Sequence, residues 1–216
     1  MSVEYIDHMG NDDSVVRAAR VSMDKSPELY TTEENARLIA YLARHGHEIP
    51  FAHTAITLRV RAPVAVRAQA FKHKVGFVES EISRRYVAST PGFFVPEFRA
   101  KAENVKQGSG ELLDDKKQEQ LRETYTAFMQ GAQVIYHSFL DMGVAPEQAR
   151  FLLPQGMMTE WVWTGSLLAF ARFYRLRSDA HAQKEIQDLA HEVGAIIADL
   201  FPVSWKALTE VHYENQ

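Results

Sequence analysis

The chain has 216 residues, a formal net charge of −4 and 46% hydrophobic residues, enough for one globular domain with a sizeable core. It contains no cysteine, which excludes disulfides, zinc–thiolate sites, iron–sulfur clusters and a thiolate nucleophile. No apolar run approaches the roughly 20 residues that span a bilayer, and the opening MSVEYIDHMGNDDSVV lacks the basic-then-apolar layout of a secretion signal. A cytoplasmic protein with no membrane partner is expected, and the mild acidity argues against a nucleic-acid partner.

In chain order, residues 3–7 read as a short strand. GNDDSVVRAARVSM then opens a helix behind an Asx/Ser cap. Thr31 followed by Glu34 is a capping-box pattern, Leu38, Ile39 and Leu42 share a face, and Gly46 supplies a stop. In TAITLRVRA, Ile56, Leu58, Val60 and Ala62 alternate with Thr57, Arg59 and Arg61, the period of a half-buried strand. Pro63 ends it and fits the first position of a helix that runs to Lys72-His73-Lys74. A loop containing Gly76 is expected next, then aromatic pieces (RRYVAST, GFFVPEF) and a polar stretch, KAENVKQGSGELLDD, that reads as a mobile surface loop. Residues 115–142 form a long amphipathic helix, with Leu121, Tyr125, Phe128, Ala132, Ile135, Phe139 and Met142 recurring every three or four positions. PEQARFLL is a short helix, MMTEWVWT a strand, and a helix from about Ser166 carries Arg172, Arg175 and Arg177. The last substantial helix, HAQKEIQDLAHEVGAIIADL, gathers Ile186, Leu189, Val193, Ile197 and Leu200 on one side. The fold class is α+β.

The run FKHKVGFVESEISRRYV concentrates charge without a helical period. Cations at a helix end offset its partial negative charge, which accounts for one or two of Lys72, His73 and Lys74. Arg84 and Arg85 lie beyond the glycine, and a loop bounded by cations that offers Ser80, Ser83 and backbone amides is also a phosphate cradle. Both readings stand on pattern alone. Arg177 precedes a Ser178/Asp179 helix start, where it either pairs with Asp179 or meets an anion. Arg150, among apolar neighbours, needs a carboxylate or a bound anion. HGHEIPFAH holds His45, His47 and His53 without HExxH spacing, so hydrogen-bonding histidines near a site are expected and no metal. No GxGxxG, GxxxxGK[ST] or GxSxG occurs. The aromatic residues of TEWVWT and ARFYRL read as core or interface.

Together these pieces resemble the flavin-dependent thymidylate synthases. That family's signature is Arg-His-Arg, seven residues, then Ser, within a longer Arg-His-Arg…Asn-Glu-x-Ser-x-Arg-Tyr pattern. The corresponding residues here are Lys72-His73-Lys74 and Ser80-Glu81-Ile82-Ser83-Arg84-Arg85-Tyr86. GNDDSVVRAARVSMD, HGHEIPFAH, ARFLLP and LRSDAHAQKEIQ look like the family's other blocks in the same order, so the resemblance covers nearly the full chain. Two departures stand out: lysines replace both signature arginines, and eight residues rather than seven separate Lys74 from Ser83, so the loop is expected to bulge by one. Ser80 stands where the family often has Asn, and Ser166 and Arg172 stand where relatives often place asparagines that touch the flavin.

The resemblance implies a single domain over residues 1–216, mostly antiparallel sheet with long packed helices. It implies reductive methylation of dUMP to dTMP, with 5,10-methylenetetrahydrofolate as carbon donor and FAD, reduced by NADPH, as hydride source. It further implies a homotetramer with active sites at subunit junctions. Carried over by residue, Lys72, His73, Lys74, Ser166, Arg172 and His181 would line FAD, with Glu81 where the two ligands meet. Gln69, Glu81, Ile82, Ser83, Arg85, Arg150 and Arg177 would hold dUMP, and Arg177 would be catalytic, stabilising charge at uracil N3/O2. His47 and His53 lie in the block that approaches flavin and folate. The absence of cysteine suits this, because conventional thymidylate synthases use a cysteine to activate uracil, whereas a fixed guanidinium can polarise the ring. Ser83, with no base pattern beside it, reads as a hydrogen-bond donor to phosphate or ribose. Two alternatives remain: a related pyrimidine-nucleotide hydroxymethylase, and a nucleotide-binding protein without catalysis.

Overall fold

A computed structural model of the chain describes residues 1–87, 89–103 and 108–210. Its fold is α+β, as expected. Four strands form an antiparallel sheet in the order β1 (Ser2–Met9), β2 (Ala55–Pro63), β6 (Met158–Gly165) and β3 (Phe77–Glu81). The alternation in β2 works as read: Ile56, Leu58, Val60 and Ala62 are each 0% exposed, while Arg59 and Arg61 face solvent. Trp161 and Trp163 of β6 join them in the core. On the opposite face, Arg59 Nε donates to Glu160 Oε1 at 2.7 Å and the Thr57 and Thr164 hydroxyls meet at 3.0 Å, cross-strand pairs that pin the register.

Helices cover the apolar face. α1 (Asp12–Arg20) starts on Asn11, which forms a capping box with Ser14. α2 (Thr32–Arg44) starts on the expected Thr31/Glu34 box, with bonds of 3.2 and 2.8 Å. It ends at Gly46, whose φ of +66° lets the His47 amide reach Leu42 O at 2.9 Å. α6 (Leu167–Arg177) and α7 (Lys184–Leu200) supply Phe170, Phe173, Leu189 and Val193 to the core. A further helix, α8 (Pro202–Thr209), follows the one read as last. Its first amides, from Val203 and Ser204, donate to the Asp12 carboxylate at 3.0 and 2.8 Å, so α1 caps the chain's far end, a contact with no local signature.

The segment between β2 and the hairpin differs from expectation. α3 (Val64–Ala70) has Pro63 as its N-cap and stops before the cations, so Lys72, His73 and Lys74 sit in a turn beyond the helix. Gly76 has φ +81°, and a Cβ there would meet Ala169 Cβ at 3.0 Å; both facts require glycine. The expected loop is instead β3, paired with β6 from Phe77 opposite Gly165 to Glu81 opposite Trp161 without a register shift. No bulge interrupts it, so the extra residue does not displace the strand's pairing.

The polar stretch is partly a hairpin of β4 (Arg99–Lys101) and β5 (Ser109–Leu112); its residues 104–107 lie outside the described residues. α4 (Asp115–Asp141) has the expected length, but its apolar face is largely uncovered. Met129 and Tyr136 are buried, whereas Phe128, Ile135 and Met142 are 62%, 50% and 67% exposed. The short α5 (Pro146–Ala149) and the 3-10 turn after it pack on α4 without covering that stripe.

Gly165 lets β3 close on β6. A Cβ there would lie 2.4 Å from Phe77 Cδ1, while the Phe77 ring stacks on Trp163 at 4.5 Å. Gly165→Ala is therefore expected to destabilise the protein by about 1–3 kcal/mol through overpacking, measured as a lowered urea midpoint. An unchanged midpoint would show that the Phe77 ring is free to move.

Candidate active site

The signature run reaches a cavity of ≈ 310 Å³ whose walls include Arg67, Glu81, Ile82, Ser83, Arg84 and Arg150. Its fixed point is Glu81. One carboxylate oxygen, Oε1, accepts from Arg67 Nε at 2.9 Å and from Thr159 Oγ1 at 2.7 Å. Because Glu81 lies opposite Trp161, Thr159 is its diagonal neighbour on β6, and Arg67 reaches it from α3. A charge-assisted bond and a hydroxyl on the same oxygen hold the carboxylate in one orientation. The Ile82 amide extends the ladder by donating to Glu160 O at 2.9 Å. The chain then turns at Ser83, whose carbonyl accepts from Tyr86 and Val87 at 3.1 and 3.0 Å.

The two arginines after Ser83 part company. Arg84 lines the cavity, half-buried, with Nη1 donating to Ser89 O at 2.6 Å. Its pKa lies below the usual guanidinium value because burial strips water from it, an effect that Tyr136 partly offsets. Arg85 is exposed, does not line the cavity, and pairs with Glu147 at 3.2 Å. Arg150 is exposed rather than embedded in the core; its Nε donates to the Glu147 carbonyl at 3.2 Å.

The other end of β3 carries different chemistry. Lys74 pairs with Glu79, and Lys72 is exposed. His73 Nε2 accepts from Arg177 Nε at 2.9 Å, and its ring packs edge-on against Phe173 at 5.2 Å. Burial, and then the Arg177 charge, push the His73 pKa down to about 4. The imidazole is neutral at pH 7, with its proton on Nδ1, because Nε2 is the acceptor. Arg177 ends α6, and Ser178 caps that helix's C-terminus rather than starting a new one; α7 begins at Lys184. Asp179 takes the His181 amide and Nδ1 at 2.8 and 2.9 Å, so among the described residues Arg177 turns to His73 instead of to Asp179.

The remaining expected residues are dispersed. Gln69 Nε2 donates to Gln183 Oε1 at 2.5 Å. Ser166 caps α6 through the Ala169 amide at 3.2 Å, and its own amide reaches Gly76 O at 3.2 Å. Arg172 forms an ion pair with Glu48 at 2.5 Å. His47, His53 and His181 are exposed. Among the described residues, no three His, Asp or Glu side chains gather as a metal ion would require.

Of the residues assigned to dUMP, the structure therefore brings Glu81, Ile82, Ser83 and Arg150 together and leaves Gln69, Arg85 and Arg177 outside the cavity wall. Four steps of β3 at about 3.3 Å separate its two ends by roughly 13 Å. Arg67 and Thr159 are the cavity residues that sequence reading missed, and Arg84, read there as one bound of a phosphate cradle, does line the wall. Thr159 had a signal: it lies in phase with Trp161 and Trp163 on a buried face, a polar residue that needs a partner.

The neutral His73 makes stability pH-dependent in a known direction. Above the ordinary imidazole pKa of about 6.5 both folded and unfolded chains hold it neutral. As pH falls from there towards 4, the unfolded chain takes up a proton that the folded one refuses, so stability is lost. Urea midpoints are expected to drop more between pH 7 and pH 5 for the wild type than for His73→Gln; equal drops would refute the buried neutral imidazole.

The chain matches the Thymidylate synthase complementing protein family over residues 4–203. It is 34% identical to the flavin-dependent thymidylate synthase of Thermosipho africanus over 99% of this chain and 92% of that protein. It is 38% identical to the one from Thermus thermophilus over 96% and 75%. The crystal structure of a UMP/dUMP methylase, PolB from Streptomyces cacaoi, bound with 5-Br dUMP, superposes with a TM-score of 0.87 at 31% identity, covering 96% of this chain and 94% of that one. Matched across almost its whole length by family and relatives alike, the chain belongs to the thymidylate synthase complementing protein family.

Proposed function

We propose that the chain, acting as one domain in the cytoplasm, methylates dUMP reductively to dTMP, with 5,10-methylenetetrahydrofolate as carbon donor and NADPH as reductant. The observation that carries this reading is the cavity itself. Three guanidiniums, from Arg67, Arg84 and Arg150, surround one anchored carboxylate, Glu81, beside the Ser83 hydroxyl, a wall suited to a small phosphate ester.

The residues at the other end of β3 fit FAD. Lys72 and Lys74 flank a turn whose Gly76 packs its bare Cα against the start of α6, where phosphates meet cations and backbone closely. Bound there, FAD supplies the hydride that takes the transferred methylene to a methyl group. Arg177 is the group for uracil N3/O2, where negative charge develops. His73 holds the guanidinium by Nε and leaves its two Nη groups for the ring. With no cysteine in the chain, ring activation falls to this cation. Ser83 Oγ accepts from the Arg85 amide at 3.3 Å and has no base beside it, which suits a donor to phosphate.

The Arg177 end and the cavity lie at opposite ends of one strand, so the proposal includes a second copy that completes the site within a homotetramer. Two features support it: the division of the site residues, and the uncovered stripe of Phe128, Ile135 and Met142 on α4, with Phe151 of the neighbouring 3-10 turn 83% exposed. Large apolar side chains left uncovered along one helix face suit an interface.

Purified protein given dUMP, methylenetetrahydrofolate and NADPH is expected to be yellow and to return a nucleotide heavier by one CH2 group. A product heavier by CH2O would assign the hydroxymethylase reading. A colourless protein without dUMP-dependent NADPH oxidation would leave only nucleotide binding. UMP belongs in the same assay, because the solved neighbour is named a UMP/dUMP methylase. For the shared site, Arg177→Ala and Arg150→Ala are each expected to be inactive alone. Co-expression should restore activity at about one site in four, the fraction that random mixing gives sites built from two copies. No restoration would sink the shared site.

A further inference from the structure

Of the two signature lysines, one already holds an anion. Lys74 Nζ donates to Glu79 Oε1 across the Gly76 turn, whereas among the described residues no carboxylate pairs with the exposed Lys72. Glu79 is the more constrained partner, its side chain 20% exposed against 64% for Lys74. It stands opposite Trp163, in phase with Phe77 and Glu81, and so faces the helices rather than solvent. Glu81, two residues on, is held in the same way by Arg67. Both cations flank one ring: the Arg67 guanidinium and the Lys74 ammonium lie 5.1 and 5.2 Å from the centre of Phe71. That ring packs edge-on against Trp161 at 5.5 Å. A carboxylate covered to this degree is stable only beside its cation. An anion that draws Lys74 away must therefore replace this contact, and Glu79 stays behind as a like charge.

We propose that Glu79 competes with the flavin diphosphate for Lys74 and thereby lowers the affinity for phosphate-bearing flavins. This rests on reading the turn as the FAD site. Lys74 serves the two anions in succession, Glu79 before flavin binds and phosphate afterwards. The apparent affinity then falls by the fraction of molecules in which Lys74 is free. A lysine suits such an exchange, because one ammonium on a flexible stem swings between partners more readily than a guanidinium fork held bidentately. Glu79 also lies between Lys74 and Ser83, the interval in which this chain has one residue more than the signature. The competitor thus belongs to the segment in which the chain departs from its relatives.

Flavin-fluorescence titrations of the whole chain, stripped of flavin, with FAD and with riboflavin test it. Glu79→Gln is expected to tighten FAD binding about fivefold, the upper end for an ion pair with one exposed partner. Riboflavin, which has no phosphate, should bind as before. Glu79→Asp keeps the charge but is one methylene shorter and holds Lys74 less well, so it should give part of the gain. On a Lys74→Met background there is nothing left to compete for, and adding Glu79→Gln should gain less than about twofold. Unchanged or weaker FAD binding in Glu79→Gln overturns the proposal, the weaker case making Glu79 a support for Lys74. An equal gain for riboflavin also overturns it, as a change of packing rather than of charge. So does a full gain on the Lys74→Met background, since Glu79 would then act on the phosphates directly. Wild-type protein that binds neither flavin would refute the flavin reading along with the proposal; wild-type protein that binds FAD, with no response at Glu79, would refute the proposal alone.

Discussion

Five residues of β3 hydrogen-bonded to β6 in unbroken register govern the geometry of everything functional in this protein. The pairing delivers a turn with three basic residues to one end of the sheet edge and an anchored glutamate, a serine and two arginines to the other. It also aligns Glu81 with Thr159 and brings the Gly76 turn against the start of α6. A slip of one residue would send every one of these side chains to the opposite face. The stacking of Phe77 on Trp163, possible because Gly165 has no side chain, opposes that slip.

The two ends solve different electrostatic problems. At the cavity, cations outnumber carboxylates, and the one carboxylate is held on a single oxygen. At the turn, a neutral imidazole separates the Arg177 charge from its neighbours and orients it through Nε without neutralising it. An acidic partner in place of His73 would have quenched the charge that the proposed chemistry needs. Placing a histidine there, with its pKa pushed down by burial, keeps a cation available in a half-buried position.

Much of the fold was legible because its signals are local. The Ile56–Ala62 alternation, the Thr31/Glu34 box, the Gly46 stop and the period of residues 115–141 each depend on a few neighbouring residues and a single geometric rule. β3 escaped because it lies on a sheet edge where neither face is fully buried, and its two apolar residues, Phe77 and Val78, are adjacent while Glu79 and Glu81 occupy the positions in phase with Phe77. The contact between Asp12 and the start of α8 escaped because its partners lie at opposite ends of the chain. At the site, the signature identified Glu81, Ile82 and Ser83, but a motif names positions without saying where side chains go. That Arg84 turns inward and Arg85 outward depends on the carbonyl of Ser89 and the carboxylate of Glu147, neither of which a one-dimensional pattern contains. The α4 stripe shows a related limit: periodicity identifies an apolar face without saying what covers it.

The place of β3 in the sheet has a consequence for solubility. As the last strand in the order, it has no strand partner on its outer rim among the described residues, and such a rim of amides and carbonyls is the kind of template on which stray chains add and aggregate. Its residues carry Glu79 and Glu81, with Lys74 folded back onto the first of them. Burying that rim against another strand would require stripping water from these charges. The same alternation of acid and base that marks the signature run thus acts as a gatekeeper against cross-β association, and a substitution that neutralised Glu79 would expose the protein to clumping.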